Sequence, residues 1–319
     1  ECETYPTQHA DNPRWHDGTL DAEGNYSEDG WTDEGRSYID GLRKMSGYTR
    51  ERLLFGKWCS ADGLVFPEYR SETHLIDAEI ERRSGDLVVV GKDFAPVTME
   101  WFFVSMDFGY RAPGCLQVWG VDAQDRLFRV VEVYQRQQGL DWWANAICAL
   151  SKEFPFTRGV ADCADPLAIK FLNDRIGSTR SRSLARMIQP CDKSDGKLHG
   201  LDQLRWGFSK ESGGPRTFLL KDALRYGRDM ELKRKGKPTC LEEELTSYVW
   251  KKVKAGDSEK EEPDPNSADH AIDAAVYAHV FAWQKDLKRI RAARTFSPGS
   301  YGSVFKVNGK ELEWPRYSK

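Results

Sequence analysis

The sequence predicts an α/β fold, a mixed sheet in which three antiparallel strands are followed by parallel strands, flanked by helices. Three observations predict it. Residues 100–106, 116–121 and 127–134 are apolar runs at short spacing, and Asp122-Ala123-Gln124-Asp125 makes a tight turn between the last two. A helical stretch from about 141 then puts Trp143, Ile147, Leu150 and Phe154 on one face. A short strand at 159–162 follows, and Asp165-Pro166 opens another helix with Asp as N-cap and Pro at the first helical position.

Taken in order, the first 35 or so residues are rich in Asp, Glu, Gly and Asn and read as irregular. Helices are expected at 35–45 and from Thr49, a plausible N-cap, to just before Gly56-Lys57-Trp58. Leu87-Val88-Val89-Val90, between Gly85 and Gly91, reads as a strand. The run at 100–106 is apolar almost throughout, as in a strand covered on both faces. A helical crossover brings strand 159–162 back parallel to it, most simply as its neighbour. Three strands, a helix, a strand and a helix is the order of an RNase H-like fold. Residues 242–251 and 268–285 read as helices, with a charged, Pro-bearing loop at 254–265. Near the end, runs at 304–307 and 311–314 flank Asn308-Gly309, a strong hairpin turn.

The chain of 319 residues is long enough for one large domain or two smaller ones. With 39% hydrophobic and 30% charged residues it is neither disordered nor a membrane protein, and no apolar run reaches the ~18 residues of a bilayer span. The seven cysteines contain no C-x-x-C pair, so reduced, mostly interior thiols and a cytosolic compartment are expected, and a zinc site lacks ligand spacing. A net charge of −3 leaves any DNA contact to local basic patches. The chain opens at Glu1 with no signal-like apolar segment, so no secretion is expected, and the missing initiator Met reads as processing or as a fragment cut from a longer protein.

Function is carried by three aspartates. Asp107 and Asp162 each end an apolar run, and at the C-terminal ends of neighbouring parallel strands, about 4.8 Å apart, they sit where open α/β sheets bind ligands. Two such carboxylates repel unless cations lie between them, and a pair of Mg²⁺ or Mn²⁺ ions about 3.5–4 Å apart would fit. Asp273 lies inside Ala271-Ile272-Asp273-Ala274-Ala275-Val276, a helix apolar nearly all round, where an isolated charge needs a reason. His270, three positions earlier, shares its face and either orients a carboxylate or water or simply packs. Capping remains the plain alternative for these acids: Asp165 rivals Asp162 but suits an N-cap, and Asp269 suits a first helical turn after a cap at Asn266 or Ser267.

With their surroundings, these residues resemble a known family. Met106-Asp107-Phe108-Gly109-Tyr110 with Pro113, Ala161-Asp162-Cys163-Ala164-Asp165-Pro166, and Asp269-His270-Ala271-Ile272-Asp273-Ala274 are similar to the C-terminal nuclease region of the large terminase subunit of tailed double-stranded-DNA bacteriophages. Glu244 with Tyr248 and Trp250 looks like the pattern before the last acid. Asp11-Asn12-Pro13, Gly47-Tyr48 and Leu53-Leu54-Phe55-Gly56-Lys57-Trp58 look like the end of the ATPase region. The resemblance covers most of residues 10–283. It implies a two-metal endonuclease that cuts concatemeric DNA during genome packaging, with Asp107, Asp162 and Asp273 as the three acids and Mg²⁺ or Mn²⁺ as cofactor. It also implies portal and small-terminase partners, a place in the host cytoplasm and transiently at the procapsid portal, and an ATPase region upstream of residue 1. No Gly-Lys pair (56, 91, 196, 236, 309) is followed by Ser or Thr, so the chain has no Walker A and no ATPase activity is expected of it. Some relatives carry a further acid in the loop after the first strand, where Arg111-Ala112-Pro113-Gly114 offers none. Lys193 resembles a lysine near the scissile phosphate in relatives.

Two basic stretches are candidates for phosphate contacts without sequence preference: Arg175, Arg180, Arg182 and Arg186, and residues 228–237 with Lys233, Arg234 and Lys235. The expected organisation is an ATPase remnant at 1–95, the nuclease domain at 96–290 and a tail at 291–319. Two other readings stand beside it: another RNase H-like DNA enzyme of resolvase or transposase type, or a docking module of the packaging motor whose acids bind no metal.

Overall fold

The computed structural model describes residues 12–21, 26–43, 63–92, 94–180, 186–194, 196–210, 214–251, 262–283, 305–307 and 310–312. They belong to two compact units, Glu1–Phe281 and Ala282–Lys319. In chain order the elements are α1 (Asp33–Arg43), α2 (Ser71–His74), β1 (Leu75–Ile76), β2 (Ala78–Arg83), β3 (Asp86–Gly91), β4 (Val97–Asp107), β5 (Gly114–Asp122) and β6 (Leu127–Gln135). There follow α3 (Leu140–Glu153), β7 (Gly159–Ala161), α4 (Pro166–Thr179), β8 (Ile188–Pro190), α5 (Gly196–Phe208), β9 (Thr217–Leu220) and β10 (Leu224–Arg225). The last are α6 (Met230–Arg234), α7 (Leu241–Ser247), α8 (His270–Trp283), β11 (Phe305–Val307) and β12 (Lys310–Leu312).

One sheet organises the first unit, in the order β1-β9-β6-β5-β4-β3-β2. Its long middle strands each serve two partners along one edge. β4 pairs antiparallel with β3 near its start and parallel with β7 near its end, and β6 pairs with β9 and then β10. The meander β4-β5-β6 is antiparallel and β7 and β8 add in parallel, the RNase H-like arrangement that the element order predicts. Close approach of β7 to β4 depends on Gly159, where a Cβ would lie 2.4 Å from Val104 Cγ2. The expected boundary at 95/96 does not separate two cores. β3 pairs with β4, and Leu87 and Val89 join the same buried cluster as Val104 and Met106.

Alternation along β4 decides what each residue meets. Phe102 packs on Phe154 at the end of α3, with ring centroids 5.5 Å apart, and Val104 and Met106 share that face. Phe103 packs on Phe281 of α8 at 5.2 Å, and Ser105 accepts a hydrogen bond from Trp119 on the same side. By parity Asp107 emerges on the α8 face.

Local signals behave as their chemistry dictates. Thr32 Oγ1 accepts from Gly35 N at 3.1 Å, so α1 starts at Asp33, two residues before its expected start. Trp143, Ile147, Leu150 and Phe154 are all buried. The helix expected at 242–251 stops at Ser247, because Tyr248 and Trp250 turn to pair with residues 63–65: Val65 N donates to Tyr248 O and Trp250 N to Gly63 O. The helix expected from Thr49 lies outside the described residues. In the second unit β11 and β12 form the antiparallel hairpin, with Val307 opposite Lys310. Of the cysteines, Cys115, Cys148, Cys191 and Cys240 are buried and Cys163 half-buried, none in a disulfide. Among the described residues no helix is long and apolar enough to cross a membrane.

Asp165 Oδ1 accepts from Ala168 N at 2.8 Å, the N-cap role its place before Pro166 predicts. Asp165→Ala is expected to lower stability by about 1 kcal/mol, read from the urea unfolding midpoint, while leaving cation-dependent stabilisation unchanged.

Candidate metal centre

Strand register sets the first pair of carboxylates. Met106 lies opposite Ala161 in the parallel β4–β7 pair, and Asp162 N donates to Met106 O at 3.2 Å. Asp107 and Asp162 therefore leave adjacent strands at the same end of the sheet. Asp107 is buried, 7% exposed. Asp162 Oδ1 accepts from Ala164 N at 3.0 Å and from Lys193 Nζ at 2.5 Å.

The third carboxylate arrives on α8, and its approach is set by Glu244. This side chain, fully buried, accepts from Ala271 N and Ile272 N at 2.8 and 2.9 Å and from the Tyr134 hydroxyl of β6 at 2.7 Å. Gln117 of β5 donates to Ala271 O at 3.0 Å. The first turn of α8 is thus tied to the sheet beside Asp107, and His270 Nδ1 comes within 3.4 Å of Asp107 Oδ2. Asp273 is in that same turn. Lys197 Nζ lies 2.8 Å from Asp269 Oδ2 and 3.4 Å from Asp273 Oδ1, and Tyr248 donates to Asp269 at 3.4 Å. The caps expected for this helix are not used: Asn266 bonds Asp264 instead, and Glu244 takes the free N–H groups.

The electrostatics show that the acids share one region. Burial pushes the Asp107 carboxyl up against the pull of His270, and the charges of Asp162 and Asp269 push the same way. Burial pushes Asp273 up to about 7, opposed by Lys197 and reinforced by Asp269 and Asp107. For Lys193 burial works against the charge, but Asp162 and Asp273 outweigh it and raise its pKa. His270 is also raised, its burial outweighed by the bond to Asp107 and the fields of Glu244, Asp107 and Asp269. Tyr277, one turn after Asp273, feels Asp273, Asp107 and Asp162 together, and Lys193 Nζ lies 4.9 Å from its ring centroid.

Carboxylate oxygens with one imidazole are a hard donor set, suited to Mg²⁺ or Mn²⁺. The Cys191 thiol does not compete, since burial pushes it up to about 12 and keeps it neutral. Among the described residues no three His, Cys, Asp or Glu side chains are grouped closely enough, as they stand, to hold a metal ion. The countercharges present are the two ammonium groups, Lys193 on Asp162 and Lys197 on Asp269 and Asp273.

All six expected residues, Asp107, Asp162, Asp273, His270, Asp269 and Lys193, are thus brought to one end of the sheet. The arginines are not. α4 starts beside Asp162 and runs away from it; Arg175 is nine residues along, about 13 Å at 1.5 Å per residue, and pairs with Asp141. Arg180 is at the far end of α4 and Arg186 precedes β8, which runs parallel to β7, so both lie toward the opposite end of the sheet. Arg182 lies outside the described residues. Sequence reasoning missed Lys197, noticed only as a failed Walker A, and the role of Glu244. Lys197 follows Lys193 by four residues across a turn that needs Gly196 at φ +83°. Glu244 stood out only through the resemblance, since as the last of three consecutive glutamates nothing local marks it as the seat of a helix.

No protein-family model matches the chain, and no curated protein matches it. Its fold matches that of a large terminase from a thermophilic bacteriophage. One crystal form aligns with a TM-score of 0.52 at 18% identity, over 80% of this chain and 54% of that one. The same terminase in complex with ATP-gamma-S gives 0.54 at 17% identity, again over 80% and 54%. The chain therefore spans about half the length of the structures it matches. A phage large-terminase nuclease domain aligns over 70% of this chain at a TM-score of only 0.43, too low to carry an argument. At these identities the likeness is one of fold.

The raised carboxyl of Asp273 has a consequence for stability. Its folded pKa of about 7 stands above the ordinary carboxylate value of 3.8, so between those values the folded state holds the extra proton and stability falls as pH rises. In EDTA, Asp273→Asn is expected to melt above wild type at pH 8, with the gap closing by pH 5. Equal melting temperatures at pH 8 would show that the site stores no such repulsion.

Proposed function

We propose that this chain is a metal-dependent endonuclease of a phage DNA-packaging terminase, cutting concatemeric double-stranded DNA. The observation that carries this is that Asp107, Asp162 and Asp273 are brought from two parallel strand ends and a helical turn to one end of the sheet, where burial and neighbouring acids raise the carboxyls of Asp107 and Asp273. The fold shared with a large terminase supports the same reading.

Asp107, Asp162 and Asp273 would hold two Mg²⁺ or Mn²⁺ ions. When bound, such a pair supplies a water of lowered pKa and charge stabilisation at the leaving oxygen. The chain's own groups do the rest. His270 holds Asp107 Oδ2 and limits its rotation. Lys193, 43% exposed, holds Asp162 and presents positive charge where a substrate phosphate would approach. Lys197 offsets part of the charge of Asp269 and Asp273, a contact that a bound cation would replace. The portal, the small terminase subunit and an upstream ATPase region belong to the same proposal, as does action in the host cytoplasm and at the procapsid portal.

The test is nicking and linearisation of supercoiled plasmid with Mn²⁺, Mg²⁺ or EDTA. Cleavage is expected with either metal, none in EDTA, and a loss of about 10²-fold or more in Asp107→Asn and Asp273→Asn with folding intact by circular dichroism. Cleavage that survives either substitution removes that residue from the site. If no metal supports cleavage or raises the melting temperature, the docking-module reading takes over. Metal-dependent cleavage is also expected to rise from pH 6 to 8, because Asp273 must shed a proton held to about 7 before it can serve as a ligand. A rate flat over that interval would separate Asp273 from the rate-determining metal site.

A further inference from the structure

A cluster of acids does not attract a phosphate backbone, so binding must draw on basic groups beside it. Strand direction decides which groups those are. β6 runs parallel to β7, so its end lies at the same edge of the sheet as Asp107 and Asp162. α6 is fastened to that edge: Arg136, the residue after β6, pairs with Asp229 at 2.8 Å and Glu231 at 3.0 Å. Two strand spacings separate β4 from β6, about 10 Å. The helix thus falls well within one turn of duplex from the carboxylates, a turn being about 34 Å. The loop after β4 bridges this interval, with Gln137 N donating to Tyr110 O at 2.8 Å, and Arg111 is exposed upon it.

At the end of α6 and just beyond, Lys233, Arg234, Lys235 and Lys237 are exposed. Lys235 is taken up by Glu231 at 2.6 Å. Among the described residues no carboxylate meets Lys233 or Lys237, and Arg234 engages only Met230 O, at 3.3 Å. The helix dipole accounts for basic residues in a last turn, but Lys237 stands past the helix. We propose that double-stranded DNA lies along this edge, from the carboxylates across Arg111 to α6, with Lys233, Arg234 and Lys237 on its phosphates. The choice of DNA as occupant rests on the nuclease reading, and the surface itself on charge and position.

The experiment is binding of the full chain to a fluorescein-labelled 30-base-pair duplex in EDTA, at salt from 50 to 200 mM. It compares wild type, the triple variant Lys233→Ala/Arg234→Ala/Lys237→Ala, and a control triple at the opposite end of the sheet, Lys152→Ala/Arg180→Ala/Arg186→Ala. All six side chains are exposed, and melting temperatures check each fold. The α6 triple is expected to bind roughly tenfold or more weakly at 100 mM salt, with a salt slope shallower by about 2.7. The control is expected to match wild type. Equal binding by both triples, a larger loss in the control, or no duplex binding by wild type overturns the proposal. Because cleavage is not read, loss of binding in the α6 triple beside a wild type that cuts nothing would keep this surface and discard the nuclease.

Discussion

The buried carboxylate of Glu244 is the constraint on which the arrangement depends. An α-helix begins with N–H groups that have no partner inside it, and a buried helix start must find acceptors elsewhere. α8 finds them in one side chain, which also receives the hydroxyl of Tyr134 from the sheet. Each buried group left unpaired costs about 1–3 kcal/mol, so the helix has one seat on the sheet and little freedom around it. His270 and Asp273 occupy that first turn, and their position opposite Asp107 follows from the seat. Burial pushes Glu244 up to about 8, against the pull of the Ile272 N–H and the Tyr134 phenol.

Two buried charge systems lie in this half of the molecule, and they differ in kind. Around Arg129 the contacts are dense: one guanidinium bonds both Glu132 and Glu242 and donates to Leu220 O, while Glu132 also accepts from Leu241 N. That set joins β6 to β9 and α7. Around Asp107 the acids outnumber what His270, Lys193 and Lys197 supply through single contacts at 2.5–3.4 Å. Dense mutual contacts hold elements together, whereas buried acids held by few contacts cost stability, a pattern found at sites more than in scaffolds.

Much of this was legible in the chain because it rests on local rules. The three long apolar runs, the amphipathic α3, the Asp165-Pro166 start of α4 and the Asn308-Gly309 hairpin each carry their signal within a few residues. The carboxylates were legible for a similar reason, since an acid ending an apolar run or set in an apolar helix stands out against its neighbours. The short strands β8, β9 and β10 did not stand out. At two to four residues their identity comes from the partner strand, not from any period of their own. Residues 248–250 were mistaken for helix because their pairing with residues 63–65 lies nearly two hundred positions away.

The sequence alone determined the three long strands, the helices α3 and α4 and the choice of Asp107, Asp162 and Asp273 as candidates, because periodicity and burial cost act on neighbouring residues. Only the tertiary structure decided which charges meet. It chose Lys197 and Lys193 as the countercharges, gave Glu244 the N-terminus of α8, and carried Arg180 and Arg186 away from the carboxylates while keeping α6 at their edge. Those outcomes depend on strand direction and on which element lies beside which. Ion pairs act through a few ångströms of space, and distance along the chain does not measure that.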